Sequence, residues 1–507
     1  MKKYIWLFIP LFILISILFI YPIIRISWLS FTDYNMLEVP VFNNGANYIS
    51  VFKDNIFLIA ISNMFLFTII STIVGGVIAF ILYRASCIWD KTFRIIWSVI
   101  LVSFSMVCLA PITLTKILSG DSYGFINGLL LNSKIITQPI QFLAAPYYLK
   151  PISILLTIMT IIGPLYLFFN ASKASLKSKL IIAANIGIIL NIINSMTQIR
   201  VFGFPSTNYQ VHTPILHIYD YASIRYEIGY ACALIVVTLV CLIIIDVALS
   251  GIAWLISLIK FGQRPFLVTK VIGSILCGSV FVATLLDFNI KLQSAFMPMS
   301  ERYIFPPRLF VIRPTLENFQ NFIQKGQWVQ VLTALIFQTI IGGLIFCLII
   351  LPAGFVLSKF GNTKGWLRAF VISGIVISIT SLVFATNLPP IEYYMKMAFY
   401  SSVASPLLFV SLFVVANSIY KKKYLSGILA GVLIFILGSY TNSFIYSLSD
   451  TYGLWALLGQ NYNRDFASPF LITTIIGITA TIATILTGIA LYDSSKSSPM
   501  ESKVFSN

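Results

Sequence analysis

The chain has 507 residues, 58% of them hydrophobic and only 10% charged, far from the roughly 25% charged of a soluble domain. With a mean hydropathy of +0.94, it lacks the polar surface to cover a water-soluble core, so its main solvent is lipid. The excess of 33 basic over 16 acidic residues, +17 overall, fits basic residues collected in cytoplasmic loops, and no nucleic-acid partner is expected.

A spanning helix needs about 20 apolar residues. The first such run, 4–24, follows Met1-Lys2-Lys3 like a signal peptide. It meets no small-residue cleavage site before Tyr21-Pro22, so it is read as the first span. Further spans are expected near 56–83, 95–116, 149–169, 180–199 and 228–250, then near 268–289, 329–357, 367–386, 399–419, 425–446 and 467–491. The expected fold class is an all-α polytopic membrane protein of about 12 transmembrane helices. With both termini inside, the inner segments hold 19 of the 33 basic residues, opposed only by Asp90, Asp493 and Glu501. The positive-inside rule therefore places both termini in the cytoplasm, with the chain in the cell membrane.

A repeat runs through this pattern, with a seam around Lys260–Arg264. Asn47-Tyr48 and Val51-Phe52 precede the span with Thr68-Ile69-Ile70 and Gly75-Gly76; Asn318-Phe319 and Phe322 precede the span with Thr339-Ile340-Ile341 and Gly342-Gly343. The expected halves, 1–262 and 263–507, each hold six spans in one orientation. Such parallel repeats are a transporter architecture with the pathway at the repeat interface.

Tyr21-Pro22-Ile23-Ile24 followed by Leu29-Ser30-Phe31-Thr32-Asp33-Tyr34-Asn35 resembles the opening of the larger permease subunit of maltose-type, binding-protein-dependent ABC sugar importers. Tyr123-Gly124-Phe125-Ile126-Asn127-Gly128 and Tyr219-Asp220-Tyr221-Ala222 through Ile228-Gly229-Tyr230-Ala231 are similar to later stretches of the same subunit. The second half resembles the smaller partner subunit, in Phe305-Pro306-Pro307-Arg308, Arg313-Pro314-Thr315-Leu316-Glu317-Asn318-Phe319 and Gly438-Ser439-Tyr440-Thr441-Asn442-Ser443-Phe444. The resemblance implies two fused permeases for a sugar or similar small polar solute, with an external substrate-binding protein and a separate ATPase chain as partners. One departure is large. The family's cytoplasmic E-A-A coupling helix is missing from both halves, where only Asn170–Lys179 and Tyr420–Tyr424 stand in its place. Ten helical residues rise about 15 Å, too little for a two-helix coupling element. ATPase coupling is therefore expected to be altered or lost.

The chemistry in the chain itself is sparse. It has no G-x-x-x-x-G-K-[ST] loop and no nucleophile motif, so it is not expected to be an enzyme or to hold a cofactor; ATP would act only through another chain. His212 and His217 share one outer loop without a third ligand, a poor metal site. Asp246 is the clearest ionisable group within a span, though close to the span's inner end. The neutral amides Asn191, Asn194 and Gln198 fall at i, i+3 and i+7 on one helix face. With Gln338, Tyr440 and Asn442 they are the candidate lining of a solute pathway; helix–helix hydrogen bonding is the alternative use of such groups. Lys173, Lys177, Lys179, Lys421, Lys422 and Lys423 could meet an acidic cytoplasmic partner or simply anchor the inner loops. The competing functions are a twelve-span secondary carrier, a non-transporting receptor or scaffold that keeps the permease fold, and a lipid-linked glycosyltransferase using Asp33 and Glu38.

Overall fold

The computed structural model describes residues 9, 21–35, 37–87, 89–107, 117–143, 145–172, 176–202, 211–259, 267–302, 304–306, 310–324, 327–360, 407–446 and 467–492; the side chains of 104–107, 193–200, 267–270 and 441–446 lie outside that description. The span expected at 367–386 therefore falls outside it, as do residues 4–8 and 10–20 of the span expected at 4–24.

The described residues are helical, with one isolated antiparallel bridge between Thr32 and Phe42. In chain order the helices are α1 (Tyr21–Leu29), α2 (Ala46–Lys53), α3 (Asn55–Ser86), α4 (Lys91–Val107), α5 (Phe125–Asn132), α6 (Pro146–Ala171), α7 (Leu176–Phe202), α8 (Pro214–Tyr219) and α9 (Ile228–Leu258). They continue as α10 (Leu267–Phe296), α11 (Met299–Arg302), α12 (Glu317–Gln324), α13 (Gln327–Ile345), α14 (Leu351–Phe360), α15 (Leu408–Tyr420), α16 (Tyr424–Tyr446) and α17 (Ala467–Leu491). Among the described residues, six helices are long and apolar enough to cross a membrane: Asn55–Ser86, Tyr147–Ala171, Ile228–Leu258, Val271–Phe296, Leu335–Phe355 and Thr474–Leu491. This is a helical membrane protein.

Local chemistry accounts for several boundaries. Asp54 caps α3, its side chain accepting from the Ile56 and Phe57 N–H groups that the first turn leaves unpaired. Between α13 and α14 the helix loosens into a π turn at Phe346–Ile350, just before Pro352, which has no N–H to continue the ladder. Two expectations change. The span expected to end at 250 runs on to Leu258, because Ile252, Ala253, Trp254 and Leu255 continue the apolar run. Asp246 thus lies about three turns from the helix end rather than beside it. The loops expected on the inner side are also shorter than expected: α6 ends at Ala171 and α7 begins at Leu176, while α15 ends at Tyr420 and α16 begins at Tyr424.

The helices pack through small residues, as expected where lipid removes the hydrophobic drive between them. At Gly187 of α7, a Cβ would lie 2.5 Å from the Thr72 methyl of α3, so only glycine permits that approach. In the expected first half α3 packs on α6 and α7, and α7 on α9; in the expected second half, α14 packs on α15, and α16 on α13, α15 and α17. Across the expected seam α6 meets α15, α7 meets α16, and α17 lies along α4. Phe168 and Phe413 make an edge-on contact there at 5.4 Å, and the Asn417 amide donates to the Ala171 carbonyl at 3.2 Å.

The two stretches paired by the repeat adopt matching local arrangements. Asn47 Nδ2 donates to the Ser30 and Thr32 carbonyls, both at 3.0 Å. Asn318 Nδ2 donates to the Ala295 and Met297 carbonyls at 2.8 and 3.1 Å. In each case one amide ties a short helix to the end of an earlier helix, α1 for Asn47 and α10 for Asn318. The neighbouring rings agree: Phe31 and Tyr48 sit 5.1 Å apart at 49°, Phe296 and Phe319 5.1 Å apart at 50°.

Candidate functional site

The amides expected to line a pathway are drawn into contacts between helices. Asn191 is buried in α7; its Oδ1 accepts from Ser71 Oγ at 2.9 Å and its Nδ2 donates to Thr72 Oγ1 at 3.3 Å and to the Gly187 carbonyl at 2.9 Å. The close approach allowed by Gly187 is what brings these groups within reach. In the second half the Tyr440 and Thr339 hydroxyls meet at 2.7 Å across α16 and α13. Gln338, one residue before Thr339, is buried, and its Oε1 meets no hydrogen-bond partner among the described residues. The side chains of Asn194, Gln198 and Asn442 lie outside the described residues. Asn191 and Tyr440 therefore belong to separate polar pairs, carried on helices that touch across the seam.

Three of the six lysines expected to face a partner are turned onto helix ends. Lys179 is buried, donating to the Phe169 carbonyl at 3.2 Å and lying 5.0 Å over the Tyr83 ring. Lys421 donates to the Leu491 carbonyl, and Lys423 to the Ile489 carbonyl at 3.1 Å. A cation at the carbonyl end of a helix satisfies orphan acceptors and opposes the macrodipole. Lys177, 5.9 Å over the Trp254 ring, and Lys422 are exposed; Lys173 is outside the described residues. Nearby, Arg94 of α4 donates to Asn170 Oδ1 at 2.6 Å and stacks 4.2 Å over Tyr492, joining α4, α6 and the end of α17.

The densest polar cluster lies at the opposite end of α3. Asp54 Oδ2 accepts from His217 Nε2 at 2.9 Å and from the Tyr230 hydroxyl at 3.1 Å. His217 Nδ1 faces His212 Nε2 at 3.1 Å, and the His212 carbonyl accepts from Asn63 Nδ2 at 2.9 Å. Because ionised Asp54 only accepts, His217 must donate from Nε2; in its neutral form Nδ1 is then the acceptor for the His212 N–H. Burial works against the charge of Asp54, but the Phe57 N–H, His217 and Tyr230 together hold it below the usual carboxylate range. Burial lowers His212 to about 4, with His217 adding to the shift and Asp54 opposing it. Burial lowers His217 as well, against the pull of Asp54. Both rings are therefore neutral at pH 7. Among the described residues, no three His, Cys, Asp or Glu side chains are placed to hold a metal ion.

The sequence signals for this cluster are partial. An Asp before a long apolar run marks a helix cap, but nothing local pairs it with a histidine 163 residues away. No protein-family model and no curated protein matches the chain.

Proposed function

We propose that the chain is a membrane-spanning, permease-like subunit that passes a sugar or similar small polar solute, derived from a binding-protein-dependent ABC importer with altered or lost ATPase coupling. The observation that carries the proposal is the matched geometry of the halves: the Asn47 and Asn318 ties, the equal ring pairs beside them, and the way α6 meets its counterpart α15 and α7 its counterpart α16. Equivalent elements facing each other across a seam is what a pseudo-twofold axis produces. In a twelve-span arrangement of parallel repeats, that axis lies along the membrane normal with the pathway on it. Gln338, buried with an acceptor to spare, supplies a neutral group suited to a hydroxyl-rich solute. The short inner connections, and the use of Lys179, Lys421 and Lys423 to close helix ends, support a departure from ordinary coupling.

The test is purification from the native membrane in mild detergent, identification of the accompanying chains, and uptake of labelled sugars by proteoliposomes holding the complex. Uptake that falls in Gln338→Leu, with the protein still folded, supports the proposal. No flux of any sugar or polyol, with or without an attached ATPase, refutes it and favours the receptor alternative.

A further inference from the structure

Residues 211–224 pass through a short buried segment, α8 and a π turn at Asp220–Ile224. Ile215 and Ile218 are buried, and α8 packs on α3, α7 and α9. The segment thus closes the end of the first half away from the basic loops. It is tied to α3 at three points: His212 O to Asn63, His217 Nε2 to Asp54, and the His217 ring 5.6 Å from Phe57. All three ties are made by the two histidines, two of them through the His217 ring.

We propose that His212, His217 and Asp54 form a proton-binding latch: the neutral pair holds residues 211–224 against α3, and protonation of the pair releases them. The reason is geometric. The bond between His212 Nε2 and His217 Nδ1 needs one donor and one acceptor, and His217 Nε2 is already committed to Asp54. The docked pair can accept one further proton only by carrying a charge in a buried site, beside Asp54. A second would set N–H against N–H across 3.1 Å. Once undocked, both rings are solvated and take up protons freely below about pH 6.5. The released state therefore binds more protons than the docked one, and acid favours it. The other ionisable groups facing the pair leave that sign unchanged. Asp220 and Arg225, paired at 2.8 Å, act on His217 in opposite directions; Tyr221 and Tyr230, in a tilted ring contact at 4.6 Å, stay neutral in this range. On α7 the side chain of Arg200 is outside the described residues. The shifts of both rings agree in direction with the geometry. The latch is independent of the transport reading, since it needs only the fold.

His212 and His217 are the chain's two histidines, so every histidine signal comes from the latch. The full chain, labelled with ring-15N histidine in phosphatidylcholine nanodiscs, would be followed by solid-state NMR from pH 8 to 4. Deuterium exchange of peptides within 211–224, corrected for intrinsic exchange, would be measured in parallel. The expected result is two neutral Nε2–H rings at pH 7.5. Opening of 211–224 should then rise by up to tenfold per pH unit for each proton taken up between about pH 6.5 and 4, with peptides from α6 unchanged. His212→Gln, which keeps a donor towards His217 but cannot take up a proton, should be protected at pH 7.5 and show a shallower rise. Constant protection of 211–224 in the wild type from pH 8 to 4 would overturn the latch, as would a profile in His212→Gln equal to the wild type's. If the variant does not fold, the wild-type titration decides alone, because ring protonation and opening must then share one midpoint.

Discussion

Replacing Asn318 by Ala removes both donors that hold the Ala295 and Met297 carbonyls. Asn318 and Ala295 are buried, so water cannot readily replace the amide. At about 1 kcal/mol net per bond, and 1–3 kcal/mol for a buried acceptor left unmade, the expected loss is roughly 2–4 kcal/mol. Asn47→Ala exposes the same arrangement at Ser30 and Thr32, but Asn47 is half-buried, which puts its loss at the lower end of that range. Asn318→Asp should be worse than Ala, because it sets carboxylate oxygens against two carbonyls. Equilibrium unfolding in mixed maltoside–dodecyl sulfate micelles, followed by circular dichroism, ranks the variants. A loss below about 0.5 kcal/mol in Asn318→Ala, or an Asp variant as stable as wild type, would refute the reasoning that these amides are structural ties common to both halves.

Gly187→Leu should cost at least about 1–3 kcal/mol by forcing α7 off Thr72, whereas Gly251→Ala, where a Cβ meets nothing within 4 Å, should be neutral or slightly stabilising in the same micelle assay. Lys421→Ala should lower stability by about 1 kcal/mol through loss of a helix-end cation, and exposed Lys422→Ala should change nothing measurable; equal effects would argue against the capping role. Asp54→Asn keeps the cap of α3 but loses the charged partner of His217 and Tyr230. The variant should therefore be less stable than wild type at pH 7. Since the folded state holds Asp54 below its ordinary value, the wild type's advantage is present above about pH 4 and is lost as pH falls through the depressed value; thermal melts of the two proteins should converge in acid. Tyr440→Phe removes one hydroxyl pair with Thr339 and should cost about 1 kcal/mol.

Apolar run length was enough to place most of the helices, because in lipid every backbone group must be satisfied within its own helix. It fell short where a run merely continued, as with the longer α9, since nothing in Ser250-Gly251 stops a helix that neighbouring helices support. The expected repeat rests on Asn47 and Asn318 standing equally far before Thr68 and Thr339. What those asparagines do was not readable, because their partners are backbone carbonyls that any residue could supply. The spacing of Asn191, Asn194 and Gln198 put them on one face of α7, yet periodicity says nothing about what that face meets. Gly187 and Thr72 decide it for Asn191, by letting α3 come close enough to take both ends of its amide. Charge counting assigned the lysines to the inner loops, but their distances to the ends of α6 and α17 decide which of them remain exposed. The sequence alone determined a lipid-embedded, helical chain, since composition and run length act locally. Only the tertiary structure could join Asp54 to His217 and His212, because that contact depends on how α3, α8 and α9 pack, and packing is a property of the whole bundle.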